Sequence, residues 1–176
     1  MSNFELVKVY ACLGSNQGNP EENLNEALAR LENYGEDITL KRMSECYETE
    51  PQDNSDQPWF LNQVVEFEVD PVIWSPEGLL STFQAIEAKM GRVHDIPKGP
   101  RIIDMDLLYW EGVEQRTGYL DLPHPAMKQR AFVLIPLKEL APDLILEGGE
   151  GIDEALQRLD YRLEGKKIWQ NQADNS

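Results

Sequence analysis

The sequence predicts an α+β domain with an antiparallel sheet. Extended and helical patterns follow one another in the order strand, helix, strand, strand, helix, strand over residues 6–110. The chain has 176 residues, a length that can bury the core of one domain without splitting. We therefore predict one domain over residues 1–165, followed by a polar tail over residues 166–176 whose composition is typical of a frayed end.

The first strand and the first helix have the clearest patterns. Residues 6–13 carry alternating apolar side chains, which predicts a core strand. Asn19 and Pro20 then supply an N-cap and a first-turn proline. Apolar residues recur at helical spacing until Gly35, which suits a left-handed residue after a helix. We predict a helix over about residues 20–34.

Two more strands are predicted in the next part of the chain. Residues 38–49 and residues 60–69 are rich in apolar and β-branched side chains. The segment between them, residues 50–59, is polar and contains proline. A loop of this length in a small domain is commonly either functional or disordered.

A second helix and a fourth strand complete the pattern. Ser75 and Pro76 predict the start of the helix, and Gly91 predicts its end. Glu87 interrupts the apolar stripe of this helix, so its carboxylate needs a partner. With a strand over residues 101–110, the order of elements fits a ferredoxin-like fold with antiparallel pairing. The remaining sequence contains a turn-rich segment (121–130), an apolar segment (131–141) and an amphipathic segment (152–159).

The chain is strongly acidic. It has 32 Asp and Glu against 16 Lys and Arg, a formal net charge of −16. Such a charge repels nucleic acid and anionic lipid, so neither is an expected partner. Cys12 and Cys46 lie in predicted strands and imply no disulfide framework. The N-terminal residues fit neither a signal peptide nor a membrane span, and we expect a cytoplasmic protein.

Asp104 and Asp106 are the first candidate functional residues. Alternate side chains of a strand share a face, so the two carboxylates project together, ~7 Å apart along the strand. Ile103, Met105 and Leu107 project from the other face. Two such carboxylates can hold a pair of hard cations. An isolated Asp-x-Asp pair is more often an ordinary solvated strand face, so the surrounding residues must decide.

Basic residues are concentrated near these aspartates although the protein is acidic. One group comprises Lys89, Arg92, His94, Lys98 and Arg101, and a second comprises His124, Lys128 and Arg130. If the fold brings both groups together, they focus positive potential, and arginine forks suit phosphate oxygens. Pairing with surface carboxylates is the alternative for each of them. Arg101 is the stronger candidate because it closely precedes Asp104.

His124 is a candidate anion ligand. Pro123 and Pro125 restrict the backbone on both sides of its imidazole, and Arg130 follows nearby. A lone histidine in a loop is more often a polar surface residue, so the rigid flanks and the neighbouring arginine are what favour the functional interpretation.

The segment from Gln57 to Asn62 is a candidate site for a flat heterocycle. It combines the aromatic rings of Trp59 and Phe60 with the amide of Asn62, which can donate and accept at once. The alternatives are that Phe60 belongs to the core and that Asn62 closes its own turn. Without further information these alternatives are the commoner outcome.

Five groups of residues occur in an order that resembles a known enzyme family. They are Gly14-Ser15-Asn16; Asp56-Gln57-Pro58 with Phe60-Leu61-Asn62; Gly91-Arg92; the segment Gly99 to Asp106 (GPRIIDMD); and Pro123-His124-Pro125 with the segment Arg130 to Leu134. Together they resemble the 6-hydroxymethyl-7,8-dihydropterin pyrophosphokinases of folate biosynthesis, from residue 7 to about residue 160. The segment Gly99 to Asp106 is the most specific of them.

This resemblance implies a ferredoxin-like domain that uses ATP as co-substrate and two Mg²⁺ ions as cofactors. It implies four catalytic residues, Arg92, Arg101, Asp104 and Asp106, with both metal ions held by the two aspartates. It implies an ATP site formed by Gln84, Glu87, Arg92, Arg101, His124 and Arg130, and a pterin site formed by Thr49, Phe60, Asn62 and Phe132. The partners are then ATP and 6-hydroxymethyl-7,8-dihydropterin, and we expect a monomer.

Two loops depart from the family pattern. Lys98 stands where some members carry a tryptophan that closes over the substrate, and His94 stands where some carry an arginine. Polar residues 52–54 replace a glycine-bearing stretch. These departures concern closure and affinity more than the identity of the reaction.

The implied reaction is attack of the pterin hydroxymethyl oxygen on the β-phosphorus of ATP, with release of AMP. No dedicated general base stands out, so Asp106 is the candidate proton acceptor. The sequence has no G-x-x-x-x-G-K-[ST] run, which argues against a P-loop kinase. Two alternatives stay open: a descendant that binds nucleotide or pterin without turnover, and an adaptor domain whose sheet edge pairs with a protein partner.

Overall fold

The computed structural model describes residues 5–51, 56–92 and 99–171 as a mixed α/β fold. In chain order these residues form β1 (Val7–Ser15), α1 (Pro20–Glu32), β2 (Ile38–Met43), β3 (Tyr47–Thr49), β4 (Phe60–Val69), α2 (Pro76–Lys89), β5 (Asp104–Trp110), β6 (Gln115–Arg116), β7 (Asp121–Leu122), a 3₁₀ turn (Met127–Gln129), α3 (Ala131–Leu140), α4 (Ile152–Gln157), β8 (Tyr161–Glu164) and β9 (Lys167–Gln170). Up to residue 110 the strands and helices alternate as predicted, except that three strands and not two lie between α1 and α2. None of the described helices is both long and apolar enough to span a bilayer.

One large sheet separates two layers of helices. Its strands lie in the order β5, β1, β4, β3, β9, β8, and β2 also pairs with β4. On one face, α1 and α2 bury apolar residues such as Leu28 and Phe83 against the sheet. On the other face, α3 and α4 bury residues such as Leu134 and Ile152. The alternation of side chains along each strand therefore decides which helical layer a residue faces.

The helix ends follow the predicted capping chemistry. The Asn19 side chain accepts a hydrogen bond from the Glu22 N–H at 3.2 Å, and the Ser75 hydroxyl accepts one from the Gly78 N–H at 3.0 Å. Each cap satisfies an amide that has no partner within its helix. Gly91 follows α2 with a φ of 88°, in the left-handed region that favours glycine.

The strand predicted over residues 38–49 is two strands, and the prediction of one continuous strand is wrong. Both pair with β4, but they are separated at Ser44, whose hydroxyl accepts from the Val64 N–H at 3.0 Å. A side chain thus takes the place of a backbone partner in the ladder, and pairing resumes at Tyr47. Cys46 consequently lies between the strands and not within one.

The predicted start of the fourth strand is also corrected, because β5 begins at Asp104 and not at Arg101. The backbone of Arg101 pairs with Asn16 instead of with a strand. Its C=O accepts from the Asn16 N–H at 3.0 Å, and its N–H donates to the Asn16 side-chain oxygen at 2.7 Å.

Asn16 joins three segments of the chain. It is 2% exposed, and beyond its two bonds to Arg101 its amide nitrogen donates to the Gln57 side-chain oxygen at 2.9 Å and to the Pro58 C=O at 3.0 Å. The end of β1 therefore holds the segment that leads into β4 and the segment that leads into β5.

The C-terminal residues extend the sheet. A polar tail was predicted from residue 166, but Lys167–Gln170 form β9, which pairs antiparallel with β8 and parallel with β3. The β8–β9 hairpin carries an alternation too short and too polar to predict from sequence, and β3 supplies the edge that stabilises it. Residues 172–176 lie outside the described residues.

His124 is held in the connection between β7 and α3. Its N–H donates to the Leu108 C=O at 2.8 Å, and its ring Nδ1 accepts from the Ala126 N–H at 3.1 Å. Burial, together with the nearby positive charge of the Arg130 guanidinium, lowers the pKa of His124 to about 4. The imidazole is therefore neutral near pH 7.

Asn16→Ala should strongly destabilise the fold. The substitution removes three side-chain hydrogen bonds from a buried position, so we expect a loss of roughly 2–4 kcal/mol in the free energy of unfolding. Urea denaturation measures it. The control is Asn25→Ala on the exposed side of α1, which should change stability by less than about 0.5 kcal/mol. Equal effects of the two substitutions would contradict the joining role of Asn16.

The stability of the fold should carry a pH dependence from His124. The pKa of His124 is about 4 in the fold and about 6.5 in the unfolded chain, so the unfolded chain binds more protons between these values. The His124 contribution to the free energy of unfolding is complete above pH 6.5 and is lost as the pH falls, by about 2.5 kcal/mol at pH 4.5. Urea denaturation of the wild type and of His124→Gln, each above pH 6.5 and at pH 4.5, isolates this loss. Parallel pH profiles for the two proteins would refute it.

Candidate active site

The register of β1 with its two neighbours brings the predicted pterin and metal residues into one row. Gly14 is the Cα partner of Asn62 in β4 and also of Asp104 in β5. One position further along the same face, Cys12 is the partner of Val64 and Asp106. Neighbouring strands lie about 4.8 Å apart, so Asn62 and Asp104 are separated by about 10 Å across the sheet.

Gly14 leaves space at the middle of this row. A Cβ atom at this position would lie 2.7 Å from the Asn62 Oδ1 atom, closer than side chains tolerate. The lack of a side chain therefore lets Asn62 occupy the surface above β1.

Asp104 and Asp106 project from the face that α3 covers. Ile103, Met105 and Leu107 are buried in the core cluster on the α1 and α2 face, and Cys12, the partner of Asp106, is buried in the cluster on the other face. The prediction that the two aspartates share a face is confirmed.

Asp104 pairs with both predicted catalytic arginines. Arg92 donates to its Oδ1 atom at 3.0 Å, and Arg101 donates to its Oδ2 atom at 2.8 Å. Arg92 also donates to Glu87, which is 6% exposed and accepts a further bond from the Met105 N–H at 3.3 Å. The partner that the sequence required for Glu87 is therefore Arg92, and two arginines and two carboxylates form one connected network.

Asp106 lies in an electrostatically unusual position. Burial, and the adjacent negative charge of Asp104, raise its pKa to about 7, while Arg130, Arg101 and Arg92 oppose that rise. The same desolvation, with both aspartates nearby, raises the pKa of the Cys12 thiol. The carboxylate of Asp106 is thus held close to that of Asp104, and a cation bound between them would be stabilised by both.

Asn62 and Thr49 form the other end of the row. Asn62 is 5% exposed, and its amide nitrogen donates to the Thr49 hydroxyl oxygen at 2.7 Å. Phe60 is the strand partner of Thr49 and is partly exposed. The alternative that Asn62 closes its own turn is wrong, because it lies inside β4.

The start of α3 carries the remaining predicted residues. The Arg130 guanidinium lies 5.7 Å from the centre of the Phe132 ring, a cation–π contact. The charge of Arg130 acts on both Asp106 and His124. The second basic group thus approaches the aspartates through Arg130 and His124.

Other predicted residues lie elsewhere or outside the described residues. Lys128 pairs with Glu150 at 2.9 Å, so the surface-pairing alternative holds for it. Gln84 and Lys89 are exposed on α2. His94, Lys98 and the polar stretch 52–54 lie outside the described residues.

The two aspartates have the donor chemistry that magnesium needs. Magnesium prefers carboxylate oxygens and commonly completes its shell with water and substrate phosphates. Among residues 5–51, 56–92 and 99–171, no group of three or more His, Cys, Asp or Glu is arranged to hold a metal. A site with only two protein carboxylates suits metal ions that arrive bound to a nucleotide. Asp104 and Asp106 therefore fit the two Mg²⁺ ions that the resemblance implies.

Sequence reasoning gave no role to Asn16, although Gly14-Ser15-Asn16 was among the motifs. A polar residue directly after a core strand was the available signal. Gln170, which contacts the start of α3, carried no signal at all, because its role depends on a strand that the sequence did not predict.

Comparison with known proteins identifies one family. Residues 10–142 match the family model of 7,8-dihydro-6-hydroxymethylpterin-pyrophosphokinase (HPPK). The 2-amino-4-hydroxy-6-hydroxymethyldihydropteridine pyrophosphokinase of Methylorubrum extorquens is 41% identical over 155 residues, which cover 88% of this chain and 95% of that protein. The Pseudomonas aeruginosa protein of the same name is 40% identical over 151 residues, 86% of this chain and 91% of that protein.

Solved structures share the fold at much lower identity. Wild-type Plasmodium falciparum HPPK-DHPS with STZ-DHP has a TM-score of 0.61 at 14% identity, over 94% of this chain and 47% of that chain. A variant of that protein with pterin and p-hydroxybenzoate has a TM-score of 0.63 at 12% identity, over 95% and 49%. The chain spans about half the length of these solved structures. The family match and the bacterial relatives show that this chain belongs to the 7,8-dihydro-6-hydroxymethylpterin-pyrophosphokinase family.

Proposed function

We propose that the protein is an ATP-dependent diphosphokinase that transfers pyrophosphate from ATP to the hydroxymethyl group of 6-hydroxymethyl-7,8-dihydropterin, releasing AMP, in folate biosynthesis. The observation that carries the proposal is the row of Asn62, Gly14 and Asp104 across three strands of a chain of this family. This row sets an amide suited to a heterocycle about 10 Å from a pair of carboxylates suited to metal-bound phosphate.

Asn62 is proposed to recognise the edge of the pterin. Its amide carries two N–H donors and one acceptor, and Thr49 takes one donor. Phe60 and Phe132 supply the aromatic faces on either side of the pterin ring. Phe60 lies near Asn62 in β4, Phe132 lies at the start of α3, and both are partly exposed.

Arg92, Arg101 and Arg130 are proposed to contact the triphosphate. Arg92 and Arg101 now pair with Asp104, and phosphate oxygens are equivalent partners for their guanidinium groups. His124 contributes as a neutral donor. Its Nδ1 accepts from Ala126, which assigns the proton to Nε2, and its lowered pKa keeps it uncharged near pH 7. Gln84 and Glu87 are the remaining proposed residues of the nucleotide site.

Asp104 and Asp106 are proposed to hold two Mg²⁺ ions together with the triphosphate. Bound there, magnesium supplies positive charge that offsets the negative charge moving onto the leaving oxygen. The chain's own residues then orient the reactants. The hydroxymethyl group gives its proton to Asp106, the candidate acceptor, and its oxygen forms a bond to the β-phosphorus. The bond from that phosphorus to the α,β-bridging oxygen breaks, and AMP leaves with the electron pair.

The fold class, the oligomeric state and the cellular compartment are also part of the proposal. A ferredoxin-like class is supported by the strand order β5, β1, β4, β2 with antiparallel pairing, and by α1 and α2 packing on the same face. We further propose a monomeric, cytoplasmic protein.

The product of the reaction tests the proposal. The protein is incubated with MgATP and 6-hydroxymethyl-7,8-dihydropterin, and AMP and ADP are separated by chromatography. Stoichiometric AMP that forms only with the pterin is the expected result. ADP would indicate transfer of a single phosphoryl group and refute the proposal. Binding of both ligands without either product would favour a descendant that has lost turnover.

Asp104→Asn should abolish most of the activity. The substitution keeps the shape of the side chain but removes the charge that holds magnesium, so we expect a loss on the order of 10³-fold or more in kcat. AMP formation at saturating substrates measures it, and a thermal melt checks the fold. The control is Asp143→Asn, an exposed aspartate, which should retain full activity. An active Asp104→Asn protein at ordinary magnesium concentration would overturn the metal assignment.

Asn62→Ala should weaken pterin binding without a comparable loss for ATP. Loss of a buried hydrogen-bonding amide is expected to raise the KM for the pterin by about tenfold or more. Gly14→Ala should have a similar effect, because its Cβ displaces Asn62. The control is Gln63→Ala in the same strand, whose side chain donates to the Ser44 C=O at 2.8 Å. If Gln63→Ala raises the pterin KM as much as Asn62→Ala does, the recognition role is wrong.

A further inference from the structure

Helix α3 begins without a cap of its own. Arg130 occupies its N-cap position, and an arginine side chain has no acceptor for the amides of the first turn. The Ala131 N–H donates instead to the Gln170 side-chain oxygen at 2.8 Å, a partner in β9 at the far end of the chain. A distant glutamine therefore supplies the acceptor that the local sequence lacks.

The same glutamine also holds the residue before Arg130. The Gln170 amide nitrogen donates to the Gln129 C=O at 2.7 Å. One side chain thus bonds to the backbone on both sides of Arg130, so the backbone from Gln129 to Ala131 has two fixed points.

The hairpin that carries Gln170 contacts the other side of the candidate site as well. Ile168 in β9 is the strand partner of Thr49, and the Trp169 ring lies 5.4 Å from the ring of Trp59, next to Phe60. The Gln170 N–H donates to a Glu50 side-chain oxygen at 3.3 Å. The hairpin therefore joins the three segments that carry Thr49, Phe60 and Phe132.

We propose that Gln170 is a positioning residue for both substrates: it caps α3 from β9 and so fixes Arg130 toward the triphosphate and Phe132 toward the pterin. It lies beyond residue 142, where the family match ends. The inference rests on the proposed function, because it assigns Gln170 to the geometry of that site. Without the cap, Arg130 and Phe132 must be ordered by the substrates themselves, which lowers affinity.

Gln170→Ala tests this inference in the full-length protein. We expect the Kd for MgATP and the KM for 6-hydroxymethyl-7,8-dihydropterin each to rise about fivefold or more, by calorimetry and AMP formation respectively. Gln170→Glu keeps the acceptor for Ala131 but has no donor for Gln129, so its values should fall between those of the wild type and of Gln170→Ala.

The matched control is Asn171→Ala in the same hairpin. Asn171 donates to Asp160 at 2.7 Å at the base of the hairpin, so its loss affects the hairpin without removing the cap of α3. Wild-type affinities in Asn171→Ala, with thermal midpoints alike in the two variants, would support the positioning role. Unchanged affinities in Gln170→Ala, or equal losses in both variants, would overturn it. A wild-type protein that forms no AMP with the pterin would instead refute the proposed function.

Discussion

The register of β1 between β4 and β5 is the constraint on which the candidate site depends. It makes Gly14 the neighbour of Asn62 on one side and of Asp104 on the other. Because strand side chains alternate with a period of two, a slip of one residue would turn either group into the opposite helical layer. Asn16 lies directly after this strand and holds the segments that contain Gln57 and Arg101. These segments lead into β4 and β5, so the end of β1 also fixes where its two neighbouring strands begin.

Charge is concentrated at this site against the composition of the chain. The formal net charge is −16, yet Arg92, Arg101 and Arg130 all act on the two aspartates. Arg92 and Arg101 pair with Glu87 and Asp104, so this part of the network is stable while it pairs within the protein. Phosphate oxygens and divalent cations are chemically equivalent partners for its arginines and its carboxylates, and binding can proceed by exchange of partners instead of by exposure of buried charge.

Local patterns predicted the parts of the fold that depend on local chemistry. The caps at Asn19 and Ser75 and the shared face of Asp104 and Asp106 follow from spacing alone, and each is present. The missed features all depend on distant partners. Ser44 divides a predicted strand because of its bonds to β4, and Lys167–Gln170 become a strand only because β3 offers an edge. No pattern within a short window contains such partners.

The most direct test of this arrangement is a crystal structure with a non-hydrolysable MgATP analogue and 6-hydroxymethyl-7,8-dihydropterin. We expect metal ions bound to Asp104 and Asp106, the pterin edge hydrogen-bonded to Asn62, and the hydroxymethyl oxygen directed across Gly14 toward the β-phosphorus. A pterin bound away from Asn62, or a triphosphate with no metal contact to either aspartate, would show that the register of β1 does not build the site.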